Sequence, residues 1–180
     1  MSIVFSPAGH ADAGRIAALH ADSWRRHYRG AYADRYLDGD LVADRRAVWS
    51  ARLAAPEGTR TIVAERDGEL VGFVHVVFDA DPRWGSLVDN LHVVHSGHRA
   101  GIGGRLMAHA ARAVLAEAGS TALHLWVLEQ NTRALAFYRA SGGTLVETGV
   151  AAAPDDDPAL LNSTPDKLRM SWPNATRLIG

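Results

Sequence analysis

The sequence predicts an α/β (α+β) fold in which helices flank one mixed central β-sheet. Segments with apolar residues at helical spacing alternate with runs of β-branched and aromatic residues. An Asp-Gly pair between two such runs is a strong signal for a tight hairpin, so part of the sheet is expected to be antiparallel. A length of 180 residues, with 47% hydrophobic and 22% charged, fits one globular domain, which we predict to span residues 1–180.

The first third of the chain is predicted to form one strand and then helices. Pro7 closes a short apolar run, Gly30 interrupts a long amphipathic pattern, and Pro56 ends a second one. The predicted elements are a strand at residues 3–5, a helix at 10–28, a turn or short helix at 31–36, and a helix at 41–55.

The rest of the chain is first rich in strands and then alternates strands with helices. Asp67-Gly68 forms the hairpin turn named above, and Gly142-Gly143 stops a helix whose N-cap is Asn131 or Thr132. Residues 151–165 are a polar insert rich in Pro and Asp. The predicted strands cover residues 61–64, 70–78, 86–94, 122–128, 144–148 and 168–172, and the predicted helices cover 101–118 and 131–141.

Composition excludes several classes of protein. Nineteen basic and twenty acidic residues give a net charge of −1, so no global field favours nucleic acid or an anionic membrane as partner. The absence of cysteine excludes disulfides, thiolate nucleophiles and Cys-ligated zinc. No apolar run approaches the ~18–20 residues that span a bilayer, and the N-terminus lacks the pattern of a secretion signal, so a cytoplasmic location is expected.

A glycine-rich turn between a strand and a long helix is the sharpest local feature. Glycines there let the backbone approach a ligand, while the first N–H groups of the helix and its positive dipole end suit a pyrophosphate. Two arginines would add cationic donors. The alternative is a turn that merely lets helix and strand pack. The residues of this turn are His98, Arg99, Ala100, Gly101, Ile102, Gly103, Gly104 and Arg105.

A second feature is a strand that runs into a helix led by Asn131. Phe137-Tyr138 lies inside that helix, where such a pair packs in a core more often than it acts in catalysis. A phenol at the mouth of a cleft is nevertheless able to donate a proton to a leaving thiolate. From these residues alone, both interpretations stay open.

Taken together, the two features resemble the GNAT superfamily of acyl-coenzyme-A-dependent N-acetyltransferases. The pyrophosphate loop of that family reads Gln/Arg-x-x-Gly-x-Gly/Ala, and residues 98–103 fill it. The family also has an early Asn and a Phe-Tyr about six residues later, matched here by Asn131 and Phe137-Tyr138. The resemblance covers residues 86–142 and extends more loosely over the first ~55 residues.

The resemblance implies a three-layer fold and transfer of an acetyl group from acetyl-CoA to a primary amine of a small molecule or peptide. Asn131 would contact the co-substrate, and the main chain of the fourth strand would pair with its pantetheine arm. Tyr138 would protonate the departing thiolate. A main-chain N–H of that strand would stabilise the oxyanion. The strand residues concerned are Leu91, His92 and Val93.

The sequence departs from the family pattern in three places: at the loop, at the end of the Asn131 helix and in the fourth strand. His98 and His95 stand where Gln or Arg and Pro are usual, and Gly142-Gly143-Thr144 replaces Gly-Phe. The fourth strand also lacks the Glu that serves many members as general base. Asp89 is the nearest carboxylate and our candidate base, with an ordinary exposed strand Asp as the alternative. His92 or His124 acting through water is a further possibility.

Several histidine, tryptophan and aspartate residues remain as further candidates for a functional role. His92, His95 and His98 do not converge at that spacing, so no metal is expected. Trp24, Trp49 and Trp84 either line an acceptor pocket or, for the first two, pack in the core. Asp155-Asp156-Asp157 is either a solvated loop or an acidic lip for a cationic amine.

Two other functions compete with acetyl transfer. They are a catalytically silent acyl-CoA-binding module and a scaffold without co-substrate. A homodimer is possible.

Overall fold

The computed structural model describes residues 2–97 and 100–180, and its strands form one mixed seven-stranded sheet in the order β1-β2-β3-β4-β5-β7-β6. All neighbouring pairs are antiparallel except β4 and β5, which are parallel. The strands are β1 (Ile3–Pro7), β2 (Thr59–Arg66), β3 (Glu69–Asp81), β4 (Gly85–Val93), β5 (Leu123–Leu128), β6 (Thr144–Val150) and β7 (Asp166–Trp172).

Five α-helices accompany the sheet at the positions that the sequence predicts. They are α1 (Ala13–His27), α2 (Asp34–Leu37), α3 (Leu41–Ala54), α4 (Ile102–Glu117) and α5 (Thr132–Ala140). The predicted first helix differs at its start, where His10–Asp12 form a 3₁₀ turn. The Asp12 N–H donates to the Gly9 carbonyl at 2.9 Å and the Gly9 N–H donates to the Asp12 carboxylate at 2.8 Å, which closes this tighter turn.

Helices cover both faces of the sheet, which gives three layers. Ile62 and Val74 pack into the core cluster that contains α4, whereas Val63 and Phe73 pack into the cluster that contains α1 and α3. Consecutive side chains of a strand point to opposite faces, so these two clusters lie on opposite sides of β2 and β3. The α/β class with a mixed, helix-flanked sheet is therefore confirmed.

The β2–β3 hairpin turns where the sequence predicts. Asp67 and Gly68 have φ angles of 54° and 83°. Two successive residues at positive φ are the requirement of a type I′ turn, whose twist matches that of the flanking strands. This turn fixes the pairing of β2 with β3, which together hold β4 in place.

The parallel pair β4 and β5 is joined only at its beginning. Ser86 pairs with Leu123 and Leu87 with His124, and no further pairing follows although β4 continues to Val93 and β5 to Leu128. Beyond Leu87 the two strands diverge and leave the facing edge of β4 without a neighbouring strand. A wedge-shaped opening therefore lies in the middle of the sheet.

The contact that begins this wedge requires a glycine. Gly85 has a φ of 77°, and a Cβ there would lie 2.3 Å from the Ala122 carbonyl oxygen, the atom that accepts the Ser86 N–H at 3.0 Å. Backbone atoms cannot move aside as a side chain can. The only residue compatible with this approach of the two strands is one without a Cβ.

We predict that Gly85→Ala lowers the free energy of unfolding by about 3 kcal/mol, because it adds a backbone clash to the cost of positive φ. Gly58→Ala is the matched control, since Gly58 has a φ of 69° and a Cβ added there would meet nothing within 4 Å. The control should lose about 1 kcal/mol. Urea unfolding measures both, and equal losses would show that the contact with Ala122 is not the constraint.

Buried histidine makes the fold sensitive to acid. His75 is 2% exposed, its Nδ1 lies 2.7 Å from the Thr61 hydroxyl, and its ring meets Trp49 edge-on at 5.3 Å. Burial lowers its pKa from 6.5 to about 4. Below pH 6.5 the unfolded chain therefore binds a proton that the folded chain does not, and stability is lost as the pH falls from 6.5 to about 4.

We predict that His75→Gln flattens this pH dependence by up to about 1.4 kcal/mol per pH unit, the value for one proton. The exposed His10 gives the control, and His10→Gln should leave the slope unchanged. Urea unfolding at intervals from about pH 4 to 7 measures the slopes. An unaltered slope in His75→Gln would mean that His75 does not contribute to the acid sensitivity.

Candidate active site

A cavity of about 570 Å³ occupies the wedge between β4 and β5. Its walls are the diverging parts of these strands, the first turns of α4 and α5, and, from the other face of the sheet, residues of α1 and α3. The cavity thus reaches both sides of the sheet. It brings together the glycine-rich turn and the Phe137-Tyr138 helix, which lie far apart in the sequence.

The start of α4 presents donors to this cavity. Gly101 has a φ of 73°, and no side chain of the described residues caps the helix. The N–H groups of Ile102, Gly103 and Gly104 make no hydrogen bond to the described residues; the first bond of the helix among these residues runs from Arg105 N to the Gly101 carbonyl at 3.1 Å. A Cβ on Gly101 or Gly104 would meet nothing within 4 Å, so there is open space beside these two residues. The arrangement suits an anion.

The remaining residues of the predicted turn are placed differently. Ala100 lies in an exposed turn before the helix, and His98 and Arg99 lie outside the described residues. Arg105 points toward β1, with its guanidinium 4.5 Å from the Phe5 ring centre. It lines a neighbouring groove of about 620 Å³ that shares Gly101 and Gly104 with the main cavity. Arg105 therefore lies beside the N–H groups at the start of α4.

Tyr138 is buried on α5 and its ring contributes to the cavity wall. It is 8% exposed, meets Trp172 edge-on at 6.1 Å, and its hydroxyl makes no hydrogen bond to the described residues. Burial raises the pKa of this phenol above its ordinary value. Tyr138 consequently holds its proton at neutral pH. Burial also raises the pKa of Tyr28, a second phenol of the cavity, with smaller contributions from Tyr32 and Tyr138.

Asp89 projects into the cavity from a bulge in β4. Val76 pairs with Val88 and His75 with Asn90, so Asp89 is the extra residue of the strand. Its Oδ2 accepts hydrogen bonds from Arg52 Nη1 and from Asn90 Nδ2, each at 2.7 Å. The sequence predicts the carboxylate but not its ion pair with Arg52 on α3.

The side chain of His92 contacts residues of α1. Its Nδ1 lies 2.7 Å from the Ser23 hydroxyl, and its ring centre is 4.7 Å from that of His20. Burial lowers the pKa of His92 to about 3. His124 lies outside the cavity, where burial and the charge of Arg169 lower its pKa to about 4. Since both imidazoles bind protons weakly at neutral pH, neither fits the role of a strong base.

Asn131 caps α5, as one of the two predicted N-caps. Its Oδ1 accepts the Ala134 N–H at 3.2 Å, Nδ2 makes no hydrogen bond to the described residues, and the residue lines the cavity. Leu91, His92 and Val93 form the part of β4 whose edge toward β5 has no partner strand. Main-chain donors and acceptors of this edge are available to an extended ligand.

The N-terminal helices supply a wall that the sequence predicts only in part. Trp24 lines the cavity, whereas Trp49 is fully buried and Trp84 lies outside it beneath Arg169. His20, Trp24 and Tyr28 follow one another at four-residue intervals and so share one face of α1, a signal that the sequence did contain. No comparable pattern in the sequence indicates that Arg45 and Arg52 of α3 line the cavity.

The insert at residues 151–165 is docked rather than free in solvent. The Ala33 N–H donates to the Leu160 carbonyl at 2.8 Å, the Asn162 N–H donates to the Ala31 carbonyl at 2.9 Å, and Arg35 Nη2 donates to the Ala159 carbonyl at 2.7 Å. The insert therefore completes the wall beside α1 and α2, and its first residues, Ala151 and Ala152, line the cavity.

Residues 2–97 and 100–180 contain neither a metal-binding cluster nor a membrane-spanning helix. No group of three or more His, Asp or Glu side chains is arranged there to hold a metal ion. In the same ranges, no helix combines the length and the apolar character that a bilayer crossing requires.

Solved structures with the same architecture are numerous. PaiA N-acetyltransferase from Thermoplasma acidophilum, in complex with coenzyme A, superposes with a TM-score of 0.71 at 18% identity, over 96% of this chain and 100% of that one. The acetyltransferase YncA from Salmonella typhimurium, with its cofactor acetyl-CoA, gives 0.67 at 18% identity over 96% and 94%. A nourseothricin acetyltransferase gives 0.55 at 32% identity over 66% and 67%.

No protein of curated function matches the chain. The profile described as acetyltransferase (GNAT) family matches residues 17–142, which include the whole wedge between β4 and β5, the turn before α4 and the start of α5. The protein belongs to the acetyltransferase (GNAT) family and is an acyltransferase.

Proposed function

We propose that the protein moves the acetyl group of acetyl-CoA to a primary amine of a small molecule or peptide, with residues 1–180 acting as one domain. The observation that carries this proposal is the set of N–H groups at Ile102, Gly103 and Gly104, which make no hydrogen bond to the described residues and belong to residues that line the β4–β5 wedge. Relatives of the same fold that contain coenzyme A or acetyl-CoA support it.

The described residues fit acetyl-CoA along the length of the cavity. The N–H groups at the start of α4 would bind the pyrophosphate. His98 and Arg99, which lie outside the described residues, stay predicted ligands of the same group. The unpaired edge of β4 at Leu91–Val93 would hydrogen-bond the pantetheine arm, and Asn131 Nδ2 would donate to it from α5. The thioester then lies between β4 and Tyr138.

Direct attack of a neutral amine on the thioester carbonyl forms the amide C–N bond and breaks the C–S bond. A main-chain N–H of β4 would stabilise the oxyanion, and Tyr138 would give its proton to the thiolate. Since a thioester is already activated, much of the rate arises from holding amine and carbonyl together. The chain's task is therefore mostly positioning and proton transfer.

The amine must lose a proton, and Asp89 is the proposed acceptor of that proton. It is the carboxylate that lines the cavity among the described residues, and the bulge turns it toward the space between α1, α3 and β4. Its Oδ2 is bound by Arg52 and Asn90, whereas no described residue donates to Oδ1. Oδ1 is thus the oxygen that would receive the proton, directly or through water.

We predict that Tyr138→Phe lowers kcat for thiol release by about 10²–10³-fold, because the thiolate then leaves without its proton donor. Binding of acetyl-CoA, measured by calorimetry, should change little. Tyr28→Phe is the matched control, since it removes a second buried phenol of the same cavity. A normal rate in Tyr138→Phe with a large loss in Tyr28→Phe would move the acid role to Tyr28.

We predict that Asp89→Asn lowers kcat/KM by about 100-fold near neutral pH, while Arg52→Gln costs less than about 10-fold. A base loses its function when the carboxylate is removed but keeps it when its ion-pair partner is removed. If both variants lose activity equally, Asp89 serves only to position Arg52. Rates measured from about pH 6 to 9, with acetyl-CoA affinity as the control, distinguish the two roles.

A catalytically silent acyl-CoA-binding module is the second candidate, favoured by the ion pair that engages Asp89. The deciding experiment is thiol release from acetyl-CoA with a broad panel of amines. The panel should include nourseothricin, because a structure 32% identical to this chain is a nourseothricin acetyltransferase. Binding of acetyl-CoA without release by any amine would favour the silent module and contradict transfer.

A further inference from the structure

We propose that the amine accepted at this site also carries a carboxylate, held by His20 and Arg45, so that the substrate class is amino acids or amines of the same form. The inference rests on the proposed transfer reaction and concerns the wall made by α1 and α3. Both side chains line the cavity, and each has a nitrogen that makes no hydrogen bond to the described residues.

The His20 ring is fixed with its proton on the unpartnered nitrogen. Trp49 Nε1 donates to His20 Nδ1 at 2.9 Å, so Nδ1 accepts and the neutral ring carries its hydrogen on Nε2. His20 is 2% exposed, and Nε2 makes no hydrogen bond to the described residues. A buried N–H without an acceptor is costly. A ligand oxygen in the cavity would satisfy it.

The Arg45 guanidinium is likewise anchored on one side and open on the other. Its Nε and Nη2 donate to Asp44 Oδ2 at 3.0 and 2.7 Å, and its plane lies 4.5 Å from the centre of the Trp24 ring. The side chain is 10% exposed. Nη1 makes no hydrogen bond to the described residues. A guanidinium held in one orientation is suited to bind a carboxylate.

His20 and Arg45 lie close to each other in the cavity wall. The His20 ring meets the Trp24 ring edge-on at 4.8 Å, and Trp24 is the ring beneath Arg45. The positive charges of Arg45 and Arg52 contribute to the lowered pKa of His20, after burial and the neighbouring His92, so both lie within electrostatic range of it. One N–H donor and one cation thus lie close together in the wall that α1 and α3 contribute to the cavity.

The charges of the cavity argue against a polycationic acceptor. Among the described lining residues, Asp89 is the one carboxylate, whereas Arg45, Arg52, Arg133 and Lys167 are cationic. The aromatic surface is also occupied, because Trp24 already has Arg45 over its ring and Tyr28 stacked against it at 5.1 Å. An acceptor with one amine and one carboxylate fits this balance, with the amine toward Asp89 and the carboxylate toward Arg45.

The test compares acceptors in sets of three: an α-amino acid, its amide, and the amine that lacks the carboxyl group. We expect at least one amino acid to exceed its amide and its decarboxylated amine in kcat/KM for thiol release by about 100-fold or more. Amides or simple amines that match or exceed every acid would overturn the inference and leave transfer intact. No thiol release with any amine would instead contradict the transfer reaction itself.

Variants test whether Arg45 is the group that binds the carboxylate of the acceptor. Arg45→Gln should reduce the preference for the acid over its amide to less than about 10-fold, and Arg46→Gln, at an exposed neighbouring position of α3, should preserve it. Calorimetry with acetyl-CoA checks that each variant is folded. If Arg45→Gln does not fold, the unaltered enzyme decides: the deaminated acid should inhibit competitively with the acceptor, and its amide should not. A preserved preference in Arg45→Gln, or equal inhibition by acid and amide, would exclude the assigned contact.

Discussion

The short parallel contact between β4 and β5 determines where this protein is able to hold a ligand. Gly85 allows the β4 backbone to meet the Ala122 carbonyl, and pairing stops after Leu87. Because the strands diverge from that point, main-chain groups that would pair in a continuous sheet face a cavity instead. The start of α4 and the Tyr138 helix both line the same gap, so one local constraint on the backbone brings the proposed phosphate-binding donors and the proposed proton donor together.

Local signals in the sequence predict most of the fold and the half of the site that depends on backbone geometry. Asp67-Gly68 specifies a turn by its φ angles, and the glycines at 101, 103 and 104 specify an open helix start, so both are visible over a few residues. The part of the cavity wall formed by α1 and α3 depends instead on contacts between residues that are far apart in the sequence. Arg52 meets Asp89 across 37 positions, and Trp49 meets His20 across 29, through packing that a single sequence does not reveal.

Histidine rings and arginine side chains play different parts in this wall. His20 and His92 are neutral because burial lowers their pKa values. They serve as directional hydrogen-bonding groups, and the bond from Trp49 fixes the proton of His20 on Nε2. Arg45 pairs with Asp44 and Arg52 with Asp89, and each guanidinium lies over a tryptophan ring. The wall therefore combines oriented N–H groups with permanent positive charge, and the two kinds of group place different demands on a ligand.

The way in which the insert at residues 151–165 is attached determines which of its positions are able to change during evolution. Four hydrogen bonds attach Ala159, Leu160 and Asn162 to residues 31–35. Two join a backbone amide to a backbone carbonyl, one uses the Ala159 carbonyl, and one runs from the Asn162 side-chain amide to the Tyr32 carbonyl at 2.9 Å. The side chains of Ala159 and Leu160 are thus not needed for these bonds. Mutations at these two positions are therefore able to vary the surface of the insert while the bonds remain.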